Sequence, residues 1–316
     1  MVHEAAIREL RALETDVRLD EMMSRHTTFG IGGPADAYVV ARSTESLARC
    51  VGVAAAHGLS FFILGSGSNV LVGDRGIRGV VVENATKHVE APEPAGDGVF
   101  HITGEAGASF AAVARRLTRA GFAGLDWAIG IPGTLGGAVV YNAGAYGGSL
   151  VDVLRWVDVC DPEGRVERLV AADLGLVYRG SAFTRGVLGR RVVVRIGFTA
   201  YQGEAPQLQA RITELDKRRL ATQPRGRNAG SVFKNPAGAD PAWRLIEAVG
   251  LRGHRIGDAQ ISELHANFFV NAGHARATDV RALIELARTR IYEQFGVHLD
   301  NEVAMVGEGF GLDDAA

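Results

Sequence analysis

Sulfur is almost missing from this 316-residue chain, and charge is missing from one long stretch of it. The two cysteines, Cys50 and Cys160, stand far apart, so neither a disulfide framework nor a cysteine metal site follows from them. Net charge is close to absent as well, at -2, which removes any overall pull toward nucleic acid or an anionic membrane. Recognition of phosphate must therefore be local. The N-terminus, MVHEAAIRELRALETDVRL, places charges every few residues and lacks the apolar core of a secretory signal. A reducing, cytoplasmic compartment is expected. What remains is an ordinary soluble composition, 47% hydrophobic and 22% charged, long enough for two or three domains.

The uncharged stretch runs for 25 residues between Asp126 and Asp152: WAIGIPGTLGGAVVYNAGAYGGSLV. Three readings compete for it. A membrane span needs about 20 predominantly apolar residues, whereas here seven glycines, Pro132 and Asn142 leave only short apolar pieces. A simple connection needs one or two glycines at defined positions, not seven in three clusters. The third reading is a loop whose backbone closes on a large, flat, neutral ligand, which is what dense glycine permits.

Along the chain, residues 3–13 have the spacing of a short amphipathic helix with Ile7, Leu10 and Leu13 on one face. A strand is expected at 37–41, then a helix capped by Ser43 or Thr44 and closed by Gly58. The apolar runs FFIL (61–64), VLV (70–72) and GVVVEN (79–84) flank the turn GSGSN, so the first 85 residues alternate strand and helix. A helix over 109–120 ends at Gly121. Residues 153–160 and VERLV (166–170) read as a hairpin about DPEGR, and 192–201 as a further strand. The pattern breaks at 201–206. Beyond it come a helix marked by Leu208, Ile212 and Leu215, a basic run KRRLATQPRGR, a helix at 241–249, the strand-like HANFFVN, and a helix from Thr278 to Phe295 closed by Gly296. The final DDAA reads as a frayed tail.

Taken singly, the chemical motifs are open to bland readings. GSGSN after a strand resembles half a dinucleotide fingerprint, but Val70 stands where the third glycine belongs and no Walker lysine follows. Ser231 in AGSVFKNP has no nucleophile elbow around it, and a turn or capping role competes with a catalytic one. Arg179 in YRGSAF reads equally as a surface residue, and Glu302 in LDNEVAMVG as a solvated acid. Lys217 and Arg218 fit a helix C-terminus, where the dipole favours cations.

Taken in order, HTTFGIGGPAD, LGSGSNVLV, GIPGTLGGAVVYNAGAYG, YRGSAF, QPRGRNAGSVFKNP, HANFFVN and NEVAMVG resemble the successive motifs of the UDP-N-acetylenolpyruvoylglucosamine reductases, flavoenzymes of peptidoglycan precursor synthesis. The likeness runs from about His26 to Gly307 and is closest to the shorter form of that enzyme. Two positions depart from it: Gly30 replaces the usual basic or polar residue after TTF, and Tyr141 replaces the usual Met before NAGAYG.

The resemblance implies an α+β fold: a two-lobed FAD-binding domain of the vanillyl-alcohol-oxidase (PCMH) type over 1–85 and 86–203, with a C-terminal α+β substrate-binding domain over 204–316. It implies FAD as cofactor and NADPH as hydride donor. The substrate is a UDP-sugar enolpyruvyl ether, with no metal, nucleic acid, membrane span or protein partner. The flavin's pyrophosphate falls to Gly65, Ser66, Gly67, Ser68 and Asn69. Its ring and ribityl arm fall to Gly130, Pro132, Gly133, Thr134, Gly136 and Gly137, continuing through Ala138, Asn142, Ala143 and Gly144. Arg179 and Glu302 are implied at the substrate carboxylate and Ser231 as proton donor, with Lys234 beside it. Arg225 and Arg227 are expected at the diphosphate, and Tyr178, Asn235 and Asn267 as donors to sugar or phosphate. A sugar or alcohol oxidase would share the glycine loops but not AGSVFKNP with a late NEV. A non-catalytic flavoprotein should have lost Arg179, Ser231 or Glu302.

Overall fold

The computed structural model describes residues 2, 4–13 and 16–310. His3, where the first helix was expected to begin, and the DDAA tail lie outside them. The chain divides into two compact units that interleave along the sequence. One comprises Met1–Arg18, Ala37–Gly65 and Gly79–Arg219, the other Leu19–Asp36, Ser66–Arg78 and Leu220–Ala316. This division cuts across the three consecutive domains expected from the sequence.

In the first unit the helix Glu4–Leu13 buries Ala6 and Leu10. The helix Thr44–Ala56 opens as its sequence dictates, with the Ser43 hydroxyl accepting from Ser46 N–H in a reciprocal capping box. Phe61–Leu64 pairs in parallel with Val80–Glu83, and their apolar faces join one core with Cys50 and Cys160, both buried thiols. A six-stranded sheet fills the rest. Its centre is Val192–Gln202, hydrogen-bonded to Leu154–Cys160 on one side and Val99–Glu105 on the other. The VVV start of that strand is buried on both faces, as a central strand requires. The hairpin expected about DPEGR forms, Trp156 facing Val170 and Cys160 facing Val166. Against the sheet lies the helix Phe110–Arg119, with Ser109 as N-cap. The uncharged stretch is not all loop: Leu135–Val140 is a helix, its first turn capped by the Thr134 hydroxyl on Gly137 N–H.

In the second unit the helix Ala277–Phe295 buries Val280, Leu283, Ile284, Ala287 and Ile291 and ends at Gly296 with φ of 66°. It packs with the helix Ala242–Ala248 around a core that also takes Phe29, Phe233 and Phe269. A four-stranded antiparallel sheet follows the order Asn228–Ser231, Phe268–Asn271, Ala259–Ile261, Arg255–Ile256. A separate pair sets Val70–Val72 parallel to Ala304–Val306. No helix among the described residues is long and apolar enough to cross a membrane, and no group of metal-ligating side chains occurs among them.

Candidate active site

In the second unit, one backbone ladder carries three of the residues singled out in the sequence. Glu302 N–H donates to Val232 O at 2.7 Å, Lys234 N–H to Asp300 O at 2.9 Å, and Phe233 pairs antiparallel with Asn301. Ser231, Lys234 and Glu302 are thus brought to one place by main-chain bonds. Arg288 backs the ladder, donating to Leu299 O at 3.1 Å and to Asn301 Oδ1 at 3.1 Å.

The serine is aimed by a bulge. Asn228 faces Val270 and Ser231 faces Phe268, so three steps on one strand oppose two on the other. Gly230 absorbs the extra residue at φ of 79°, and its N–H returns to Asn228 Oδ1 at 3.0 Å.

Two expected substrate donors bond to backbone, one with its whole amide and one with its oxygen alone. Asn267 is 3% exposed; its Oδ1 accepts from Phe233 N–H at 2.9 Å and its Nδ2 donates to Phe233 O at 2.8 Å. This amide clamps the strand beyond the serine and is not offered to a ligand. Asn235 accepts from Ala242 N–H at 3.1 Å and so caps the next helix. Arg225 and Arg227 are exposed. Arg227 lies along Gly30, where an added Cβ would sit 2.8 Å from its Cδ, so the departure from the family pattern at 30 leaves room for this arginine.

GSGSN forms a tight glycine turn. Gly67 takes φ of 62°, and a Cβ there would fall 2.1 Å from His26 O. Among the described residues, the N–H groups of Ser66, Gly67 and Ser68 donate to no protein acceptor. Successive unspent N–H groups at a glycine turn are the donor set that a diphosphate takes. Asn69 acts differently: its Nδ2 donates to Glu302 O at 3.2 Å.

In the first unit, Gly65 packs against Thr134, whose Oγ1 an added Cβ would meet at 2.7 Å. Most N–H groups of the second glycine stretch are spent internally: Leu135 on Ala108 O, Gly136 on Ala106 O, Ala143 on Ala138 O. Gly133 O in turn accepts from Phe110 N–H. Pro132 and Gly137 are exposed and Ala138 is buried. The stretch therefore offers a ligand a rigid, uncharged surface more than a row of donors. Tyr141 ends the short helix, and burial pushes its phenol above the ordinary value.

Tyr178 and Arg179 form the tip of a tight turn closed by Val177 N–H to Gly180 O at 2.9 Å and Gly180 N–H to Val177 O at 3.2 Å. Tyr178 is exposed, with the Arg179 guanidinium 5.6 Å from its ring centre. Arg179 takes φ of 51° and donates from Nη2 to Gly144 O at 2.8 Å. Asn142, at φ of 41°, donates to Val177 O at 2.9 Å and accepts from Val151 N–H at 3.0 Å. Ser181, fully buried, donates to Val140 O at 2.6 Å. Ser181 was not singled out in the sequence, where its neighbour Arg179 drew the attention.

Comparison with known proteins gives the family. Residues 35–170 match the model of an FAD binding domain. Residues 222–306 match that of the UDP-N-acetylenolpyruvoylglucosamine reductase C-terminal domain. The reductase of that name from Heliobacterium modesticaldum is 41% identical over 93% of this chain and 92% of its own. The one from Rubrobacter xylanophilus is 41% identical over 95% and 98%. The crystal structure of UDP-N-acetylenolpyruvylglucosamine reductase from Thermus caldophilus superposes with a TM-score of 0.74 at 32% identity, covering 92% of this chain and 99% of that one. The chain belongs to the UDP-N-acetylenolpyruvoylglucosamine reductase family.

Proposed function

We propose that this chain is an FAD-dependent oxidoreductase that reduces UDP-N-acetylglucosamine enolpyruvate to UDP-N-acetylmuramate with NADPH, in peptidoglycan precursor synthesis. The observation that carries it is the ladder holding Ser231, Lys234 and Glu302 together, in a chain related to the named reductases over almost its whole length. We assign flavin binding to residues 1–203, substrate binding to 204–316, and the activity to the cytoplasm.

FAD fits the residues present: unspent N–H groups at Ser66, Gly67 and Ser68 suit its diphosphate, and the uncharged stretch suits its ring. A charge there would need a buried partner and would shift the cofactor's potential. Bound and reduced by NADPH, FAD would supply hydride chemistry to the distal carbon of the enolpyruvyl double bond. Negative charge then develops on the adjacent carbon and spreads into the carboxylate. Arg179 answers that charge, since a guanidinium fork fits a carboxylate bidentately and stays charged whatever its surroundings. Glu302 is assigned to the enolic form of the same group. Ser231 delivers the proton that completes the reduction. A hydroxyl is a weak acid, but a carbanion is a far stronger base, so alignment matters more than acidity. Lys234 stabilises the alkoxide left behind.

The test is colour. Purified holoenzyme should be yellow, NADPH should bleach it without oxygen, and the enolpyruvyl UDP-sugar should restore the yellow with one equivalent of muramate product. A bleached enzyme that the UDP-sugar does not reoxidise would sink this assignment.

A further inference from the structure

Three hydrogen bonds tie the turn that presents Arg179 to the uncharged glycine stretch. Asn142 Nδ2 donates to Val177 O at 2.9 Å, Ser181 Oγ to Val140 O at 2.6 Å, and Arg179 Nη2 to Gly144 O at 2.8 Å. The first two come from side chains that are 6% and 0% exposed, where water cannot replace a lost partner. Between them sits Arg179 at φ of 51°, a conformation that a residue with a Cβ adopts at a cost and keeps only where its surroundings over-determine it. Ser181 also accepts from Phe183 N–H at 3.2 Å, and Asn142 from Val151 N–H at 3.0 Å. Each side chain thus grips both the turn and the stretch.

From this arrangement we infer that Asn142 and Ser181 are positioning residues. They lock the strained turn, and with it the bearing of the Arg179 guanidinium, to the same stretch that is assigned to the flavin ring. Asn142 is thereby moved from ligand contact to ligand geometry. The bond from Nη2 to Gly144 O adds the third point, which stops the guanidinium rotating about its own axis. A clamp that must meet a carboxylate bidentately loses its function through small displacements: about 1 Å of misplacement can cost on the order of a hundredfold. This inference rests on the assignment of Arg179 to the substrate carboxylate.

The experiment uses the flavin-loaded holoenzyme of Ser181→Ala, Ser181→Thr and Asn142→Gly, with Arg179→Ala as reference. Three quantities are read: flavin absorbance per chain, the rates of the two half-reactions by stopped flow, and the affinity of the oxidised enzyme for the enolpyruvyl UDP-sugar by calorimetry. Ser181→Ala should keep its flavin and its rate of bleaching by NADPH, bind the substrate more weakly, and reoxidise at least about tenfold more slowly. Ser181→Thr, which keeps the hydroxyl, should recover most of both. Asn142→Gly accepts the positive φ, adds no charge to the stretch and loses the donor to Val177 O, and should resemble Ser181→Ala; it decides the matter if the alanine variant does not fold. Combining Ser181→Ala with Arg179→Ala should add little to the loss from Arg179→Ala alone. If Arg179→Ala itself leaves reoxidation and substrate affinity intact, the assignment of Arg179 has failed. If Arg179→Ala is slow but the positioning variants are not, slow both half-reactions equally, or multiply the Arg179 effect, the positioning role is overturned.

Discussion

Asn69, the last residue of GSGSN, holds the main chain of Glu302: its Nδ2 donates to Glu302 O at 3.2 Å, and its own carbonyl accepts from Ala304 N–H at 3.0 Å. A turn that reads as a phosphate loop therefore also seats the segment that carries the acid. Asn69→Ala should lower stability to urea by about 1 kcal/mol, the net worth of one such bond. It should also slow reoxidation by the enolpyruvyl substrate more than bleaching by NADPH. Equal effects on the two half-reactions would leave Asn69 with the flavin alone.

Ser231→Ala should leave flavin reduction by NADPH intact and slow reoxidation at least about 100-fold, the scale of a positioned proton donor. Stopped-flow absorbance at the flavin band separates the two steps, and equal loss in both would remove Ser231 from the proton-donor role.

Gly230 has open space around the position of an added Cβ, so Gly230→Ala meets no clash; what it meets is φ of 79°. The cost should be about 1 kcal/mol of stability. Because this residue absorbs the bulge that aims Ser231, reoxidation should slow as well, measured beside urea midpoints on the same protein.

Arg227 is exposed along Gly30. If it meets the UDP diphosphate, Arg227→Ala should raise KM for the UDP-sugar, leave kcat nearly unchanged, and weaken the dependence of KM on salt. An unchanged KM would count against that contact.

His265 lies among Trp243 and Phe268 rings, and its Nδ1 accepts from Asn267 N–H at 3.3 Å. Burial pulls its pKa below the ordinary 6.5. The folded state thus favours the neutral ring while the unfolded chain binds the proton more readily. The contribution to stability is present above about pH 6.5 and is lost as pH falls through the lower, folded value. Urea midpoints from pH 7.5 to 5 should fall less steeply for His265→Gln than for the parent; parallel curves would exclude His265 as a source of the slope.

The helices were readable because their signals are local. Ser43 and Ser109 stand at real N-caps, and Gly58, Gly121 and Gly296 take positive φ just past helix ends. The helix Leu135–Val140 was not readable, since Gly136 and Gly137 hide a segment whose start depends on the Thr134 hydroxyl. Nor was the strand Val99–Glu105, whose polar His101 and Thr103 break an apolar pattern that pairing to Thr199 and Gly197 makes unnecessary. At the candidate site, AGSVFKNP and NEV lie far apart in sequence but on one backbone ladder. The amide of Asn267 looked like a ligand donor because a sequence does not say where an amide is spent; here both its ends are spent on the backbone of Phe233.

The parallel pairing of Val70–Val72 with Ala304–Val306 sets a timetable for synthesis. An early strand must wait for a partner made near the end of the chain, which at 5–20 residues per second is a delay on the order of ten to fifty seconds. During that interval the edges of VLV stand open to other nascent chains, so yield should fall as translation slows or crowding rises, before any effect on the finished enzyme is seen.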